Sequence, residues 1–407
     1  MHWASAVSDA PRLEDALDAV TGAVRKALGG GRVDLALVFV SRHFVSRYDD
    51  VPERVCEALA GRVLVGCSAG GVIGGGREVE HRPGVALTAA TLPDVRIEPF
   101  ALEAESLPGP DAPPGAWSAA LGVPAHPPSH FIVLADPFSF PAERLITGLD
   151  YAWPAGAKVG GLASGAARAG ENVLYLDRRG RRSGAVGVAL SGDIAVDTIV
   201  AQGCRPIGRP LAITRCDGYV LYELDGEPAL GVLSELAGTL STADRELLAH
   251  SLFLGIAMDE LATEHRAGDF LIRNLMGIDP KQGAIAVGEP LRSGQRVQFH
   301  LRDARSAASD LQAVLERFAG ATFAPEVEGA LLFSCLGRGV HLYGRPDHDT
   351  ELFRSVVGDV PLGGFFCNGE IGPVGGTTHL HGYTSAFGLF RAARVRPALG
   401  SRQGLGR

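Results

Sequence analysis

Three times along this chain an apolar run is followed by a helix-like stretch, a second apolar run and a glycine-crowded turn, and this recurrence constrains the fold more than any other feature. The first copy starts at Leu35-Ala36-Leu37-Val38-Phe39-Val40 and passes a helical stretch from Val51 to Leu59. It then reaches Arg62-Val63-Leu64-Val65 and opens into Gly66-Cys67-Ser68-Ala69-Gly70-Gly71. The second runs from Phe131-Ile132-Val133-Leu134-Ala135-Asp136 through a helix over Ala142 to Tyr151 to Lys158-Val159-Gly160-Gly161-Leu162-Ala163-Ser164-Gly165. The third runs from Ala330-Leu331-Leu332-Phe333-Ser334-Cys335 through Asp349 to Val357 and ends in Gly363-Gly364-Phe365-Phe366-Cys367-Asn368-Gly369-Glu370. Roughly 30 residues separate each first strand from its glycine loop, the length of a strand, a helix and a second strand. Continuous apolar runs suit strands covered on both faces. The expected fold is therefore α/β or α+β, with mixed sheets flanked by helices, built from recurring β-α-β-glycine-loop units in two halves. Loops at the ends of such strands converge on ligands, so the glycine loops, with Gly66, Ser68, Gly70 and Ser164, are expected to line a common hollow.

Between the second and third copies the pattern changes. Gly268 to Asn274, Ala284 to Val287 and Val297 to Asp303 read as a meander of strands, and Ala304 to Phe318 carries Ala307, Leu311, Val314, Leu315 and Phe318 at helical spacing. Arg205-Pro206-Ile207-Gly208-Arg209-Pro210 is expected to interrupt the strands and mark a boundary. The division is then an N-terminal extension over 1–29, domains over 30–210 and 211–392, and a tail over 393–407. The proline- and alanine-rich stretch from Leu107 to Pro128 is expected to be a surface connection without a regular element.

With 54 glycines, roughly twice average usage, loops are expected to carry function. Net charge is -8 and the arginines are scattered, which speaks against nucleic acid. Their one run, Asp177 to Arg182, reads as a solvated hairpin tip between Val173-Leu174-Tyr175-Leu176 and Ala185 to Leu190. Six cysteines lack any C-x-x-C pair, no charged start precedes an apolar segment, and no apolar stretch reaches the length of a membrane span. A cytoplasmic protein is expected.

The candidate chemistry has competing readings. Gly66-Cys67-Ser68-Ala69-Gly70 matches G-x-S-x-G, the turn that exposes a nucleophilic serine in α/β-hydrolases, but Gly71, Gly74, Gly75 and Gly76 are poor sequence for the helix that turn requires. Cys67 is either a nucleophile, given a base such as His81, or a small buried residue. An acyl- or amide-processing enzyme using Cys67 or Ser68 is the alternative function; the leading reading is not an enzyme. If Val374 to Thr377 form a turn, the flanking runs pair and bring Glu370 and His381 together. Glu370 and Asn368 would then suit a ligand bearing an ammonium and an amide, with Tyr383 nearby. His379 and His381 share one strand face and could meet a metal, without a third ligand. Asp136 is expected to cap the helix that follows it.

The segment from Arg62 to Pro99, and in the second half Tyr222 to Ala229, Phe270 to Asn274, Gln298 to Ala304 and Gly364 to Pro373, resemble the FIST N and FIST C domains of the FIST (F-box and intracellular signal transduction) family. The resemblance covers about 30 to 392 and implies FIST N-like and FIST C-like domains over 30–210 and 211–392. It also implies a bacterial sensory protein that binds a small polar metabolite, such as an amino acid. With no transmitter, cyclase or F-box segment expected in the remaining ends, output would pass to a separate partner such as a kinase or cyclase. Arg273 and Arg302 match family positions. Each could hold a ligand carboxylate, the alternative being a structural ion pair such as Arg273 with Asp303. One branch of the family implies a haem-based gas sensor, with His379 or His381 as ligand.

Overall fold

The computed structural model describes residues 1–259, 262, 264–265, 268–321 and 326–393. Three six-stranded sheets form the body, each with one parallel pair in its middle. Those pairs are Leu35–Ser41 with Val63–Ala69, His130–Ala135 with Lys158–Leu162, and Gly329–Cys335 with Leu362–Cys367. The connecting helices are Val51–Leu59, Ala142–Ala152 and His348–Val357. Apolar residues on both faces of these strands explain their continuous runs. One face of every sheet meets a shared core containing Phe39, Val65, Ile132, Val159, Phe333 and Phe365, where Phe39 stacks on Phe365 at 4.7 Å. The other faces lie under helices, Leu13–Ala27 and Val51–Leu59 on the first sheet, Pro114–Leu121 and Ala142–Ala152 on the second, Ala304–Ala319 and His348–Val357 on the third.

At each glycine loop the chain leaves its sheet and adds a hairpin to another. After Val63–Ala69 of the first sheet, the hairpin Gly71–Gly74 with Arg77–Glu80 joins the third. After Leu362–Cys367 of the third, Glu370–Val374 with Thr377–His381 joins the second. After Lys158–Leu162 of the second, Leu174–Leu176 with Arg179–Arg181 joins the first. The arginine run is therefore itself a strand of that last hairpin, with only Asp177 and Arg178 at its tip. Ala185–Gly192, the partner expected from sequence, pairs in the second sheet instead.

The meander closes on itself. Strands run in the order Arg205–Asp217, Arg296–Leu301, Leu252–Ala257, Phe270–Asp279, Ala284–Val287, Val220–Leu224, and the first also pairs with the last, giving an antiparallel barrel. Its interior holds Leu211, Ile213, Leu254, Ile285, Val297 and Phe299. Closure requires Arg205–Asp217 to serve two neighbours, and register shifts between Ile207 and Leu211 and after Ile213 bend it to do so. The segment expected to interrupt the strands, 205–210, thus lies within a strand. Helix Ala229–Thr239 packs beside the barrel.

Two further expectations are corrected. The stretch 107–128 contains the helix Pro114–Leu121, started by proline in its first turn and ended at Gly122 with φ +67°. It is held because Trp117 lies on Gly148, where a Cβ would approach the indole to 2.2 Å. Asp136 does not cap its helix; it accepts from Ser139 Oγ at 2.6 Å and Asn172 Nδ2 at 3.0 Å, tying loop to loop. No helix among the described residues is long and apolar enough to cross a membrane.

Candidate functional site

The three glycine corners do meet, through direct hydrogen bonds between their backbones and side chains. Ser164 N donates to Ser68 O at 3.2 Å, Gly70 N donates to Ser164 Oγ at 2.9 Å, and Ser164 Oγ donates to Phe366 O. Leu162 and the Asn368–Gly369 turn exchange two backbone hydrogen bonds. A Cβ at Gly66 would fall 2.0 Å from Val38 O, at Gly70 2.4 Å from Leu336 Cδ2, and at Gly161 2.3 Å from Cys367 Sγ. The glycines are needed for close approach of backbones. Gly66, Ser68, Gly70 and Ser164 are thereby joints of the fold, and none of the four lines the clefts described below.

The same packing removes the nucleophile geometry. Ser68 is fully buried, donates to Asn172 Oδ1 at 3.0 Å and accepts from Val173 N, and the chain after Gly70 continues as a strand, so the helix of a nucleophile elbow does not form. Cys67 is buried and burial pushes its thiol well above the ordinary range, the reverse of what a reactive thiolate needs.

Space opens instead where the barrel meets the third sheet. A cleft of about 930 Å³ lies between helix Ala229–Thr239, strands Leu252–Ala257 and Phe270–Asp279, and the residues Arg302, Gly337, His341 and Tyr383. It is lined by two arginines and two histidines and by no Asp or Glu, in a chain whose net charge is -8. Arg302 follows the strand Arg296–Leu301 and is only 6% exposed, yet its Nε and Nη2 have no hydrogen-bond partner. Its guanidinium lies 5.1 Å from the Tyr383 ring centroid. Tyr383 is itself held in the left-handed region at φ +68°, unusual for a bulky residue. Its ring packs 4.4 Å from Phe253 and its hydroxyl donates to Asn274 Oδ1.

Glu370 lies behind this wall and is fully buried. Its Oε2 accepts from Thr384 N at 3.2 Å and Thr384 Oγ1 at 2.9 Å, while Oε1 has no partner. Burial, opposed by the Thr384 hydrogen bonds and by Arg302 and Arg338, pushes its carboxyl up to about 8. Burial thus favours its neutral form, and no ion pair joins it to Arg302. Its expected antiparallel register with His381 is present, but His381 Nε2 is hydrogen-bonded to Gly372 O at 2.9 Å. Burial pushes this imidazole down to about 4. Arg338, absent from the sequence candidates, is also buried, clamped in two hydrogen bonds to Asp349. Its signal was the Gly337-Arg338-Gly339 turn following a parallel strand, the end where ligands gather.

The other candidates divide between smaller clefts. Asn368, Arg273, His381 and Tyr383 border one of about 350 Å³ that also contains Glu143 and Glu289. Asn368 is exposed. Arg273 is not paired with Asp303; it donates to Glu289 and to Leu380 O at 3.3 Å, whereas Asp303 caps helix Ala304–Ala319 and accepts from Arg205 at 3.2 Å. His379 borders a third cleft of about 450 Å³ with Asp259, His265 and Asp269. Among the described residues no three His, Cys, Asp or Glu side chains gather around one ion position. For haem, His381 is buried with its Nε2 already engaged, and the walls beside His379 carry two carboxylates and an imidazole. These residues do not fit the group.

The model of the FIST N domain matches residues 34–227 and that of the FIST C domain matches 229–373. An uncharacterized protein of Mycobacterium tuberculosis is 39% identical over 386 residues, covering 94% of this chain and 98% of that one. An F-box/LRR-repeat protein of Arabidopsis thaliana is 33% identical over 94 residues, 22% of this chain and 18% of its own length. A crystal structure of cyanuric acid hydrolase from A. caulinodans aligns over 96% of this chain and 99% of that one, at 10% identity and a TM-score of 0.32, too low to carry an argument. With both domain models matched and the mycobacterial likeness running through almost its whole length, the chain belongs to the FIST family of signal-transduction sensors.

Proposed function

We propose that this protein is a receptor for a small carboxylate-bearing metabolite bound in the cleft between barrel and body, and that it signals through a separate partner such as a kinase or cyclase. The observation that supports this is Arg302. A buried charge without a counterion costs several kcal/mol in a real protein, roughly, after relaxation, and planar guanidinium nitrogens match a carboxylate in pairs. A ligand carboxylate at the cleft-facing edge of Arg302 supplies the counter-charge, with the Tyr383 ring as the adjoining wall, while Nε and Nη2 themselves are shielded from solvent. The Arg273 cleft lacks this feature, because Arg273 is already satisfied by Glu289. Ligand bridging barrel and body favours one arrangement of the two, and that difference in affinity is the signal.

The test is a melting-temperature screen of wild type and Arg302→Met against amino acids and other metabolite carboxylates. A ligand at 100 times its Kd stabilises by about 2.7 kcal/mol, a rise of several degrees. The expected result is such a rise in wild type and none in Arg302→Met. A flat response across the set counts against the receptor reading, and equal responses from both proteins count against Arg302 as the site.

A further inference from the structure

The cleft is larger and more apolar than a carboxylate alone requires. On the helix Ala229–Thr239, Leu230, Leu233 and Ala237 face it at spacings of three and four residues, one side of a helix. Opposite them stand Leu252 at the start of its strand and Leu275 and Ile278 on Phe270–Asp279. Along that second strand the wall changes character. Asn274, paired with Phe253 and bonded to Tyr383, marks the arginine end. Ile278, four residues on, lies roughly 13 Å away at strand rise. Leu230 N bonds Gly283 O, which places the start of the helix at that same far end. The result is a groove with a guanidinium at one end and hydrocarbon walls leading away from it.

We infer that the ligand is an amphipathic carboxylate, its head on Arg302 and an unbranched hydrocarbon arm lying between Leu233 and Ala237 of the helix and Leu275 and Ile278 of the strand. This rests on the proposed reading of Arg302 as the carboxylate site. A volume of about 930 Å³ stands near the top of the roughly 300–1,000 Å³ range of small-molecule sites, and leaves most of the cleft to the arm. The absence of Asp and Glu from the lining disfavours a cationic head in the same groove, since a buried ammonium needs an acidic partner. Ile278 is 59% exposed, and the arm covers apolar surface that otherwise faces water.

The experiment is calorimetric titration of the full chain with straight-chain monocarboxylates from butanoate to decanoate, and with decylamine as the cationic control. Each added methylene is expected to tighten binding about fourfold until the groove is full. Arg302→Met is expected to abolish binding of every acid, and Ile278→Asp, at the exposed far end of the groove, to weaken decanoate at least tenfold more than butanoate. Circular dichroism melts of both variants establish that they are folded. Equal affinity for butanoate and decanoate, or decanoate binding untouched by Ile278→Asp, overturns the hydrocarbon arm and leaves the carboxylate receptor standing. Decylamine binding as tightly as decanoate, or decanoate binding unchanged in Arg302→Met, overturns the polarity of the groove. Binding of none of the acids overturns this inference, while the metabolite screen decides the receptor reading separately.

Discussion

Glu370 and Arg302 show how two side chains of opposite nominal charge can lie close together inside a protein and not form an ion pair. Burial favours the protonated form of Glu370, a neutral hydrogen-bonding group anchored to Thr384, and Arg302 keeps its charge. A carboxyl raised from 4.5 to about 8 in the folded state holds a proton that the unfolded chain has released. Its stabilising contribution is complete below pH 4.5 and is lost as pH rises through about 8. Glu78 behaves alike, raised to about 8 by burial and by Asp349. Urea midpoints measured from pH 7 to pH 8.5, above the range in which the buried His300 and His381 titrate, are thus expected to fall with pH, and Glu370→Gln to reduce that fall. An unchanged slope in the variant would mean that Glu370 is ionised throughout. The turn and its flanking runs made Glu370 and Tyr383 visible in the sequence as candidates, and the family resemblance added Arg302. Their burial, and the missing partner on Arg302, depend on contacts between separate segments, such as Tyr383 with Asn274 and with Arg302, and were not visible.

Among the elements, helices were the most legible. Val51–Leu59 matches its apolar periodicity, and Ala142–Ala152, His348–Val357 and Ala304–Ala319 depart from theirs by a residue at one end. The helix Pro114–Leu121 was hidden because its stability comes from Trp117 on Gly148 and not from its own composition. The glycine corners were legible as turns, but their purpose was not. They allow three backbones to touch, which a Cβ would prevent. Gly161→Ala, which sets a methyl 2.3 Å from Cys367 Sγ, is expected to cost about 1–3 kcal/mol in denaturant unfolding. Gly22→Ala, in a helix with nothing within 4 Å of the new Cβ, is expected to stabilise by about 0.5–1 kcal/mol. Equal effects at the two positions would contradict the close-packed corner.

For the whole molecule, the chain's sequential order and its spatial order differ. A fragment ending at residue 210 keeps Gly71–Glu80 and Ala195–Ala201 but loses Leu362–Cys367 and Ser385–Arg391, the strands they pair with. It also deprives the second sheet of Glu370–Val374 and Thr377–His381. Such a fragment is expected to show no cooperative thermal transition; a sigmoidal melt of soluble fragment would show that the first half folds alone. By itself the sequence determined the three β-α-β units, the strands of the central meander and the helix after it, that the sheets are mixed and covered, and which polar residues could bear chemistry. Local periodicity and turn composition decide these, and both are written in neighbouring residues. The tertiary structure alone decided that hairpins pass between sheets, that the meander closes into a barrel, and that a cleft of about 930 Å³ opens beside Arg302. Each of these depends on which strand edges and side chains meet across hundreds of residues, and no short stretch of the chain encodes that meeting.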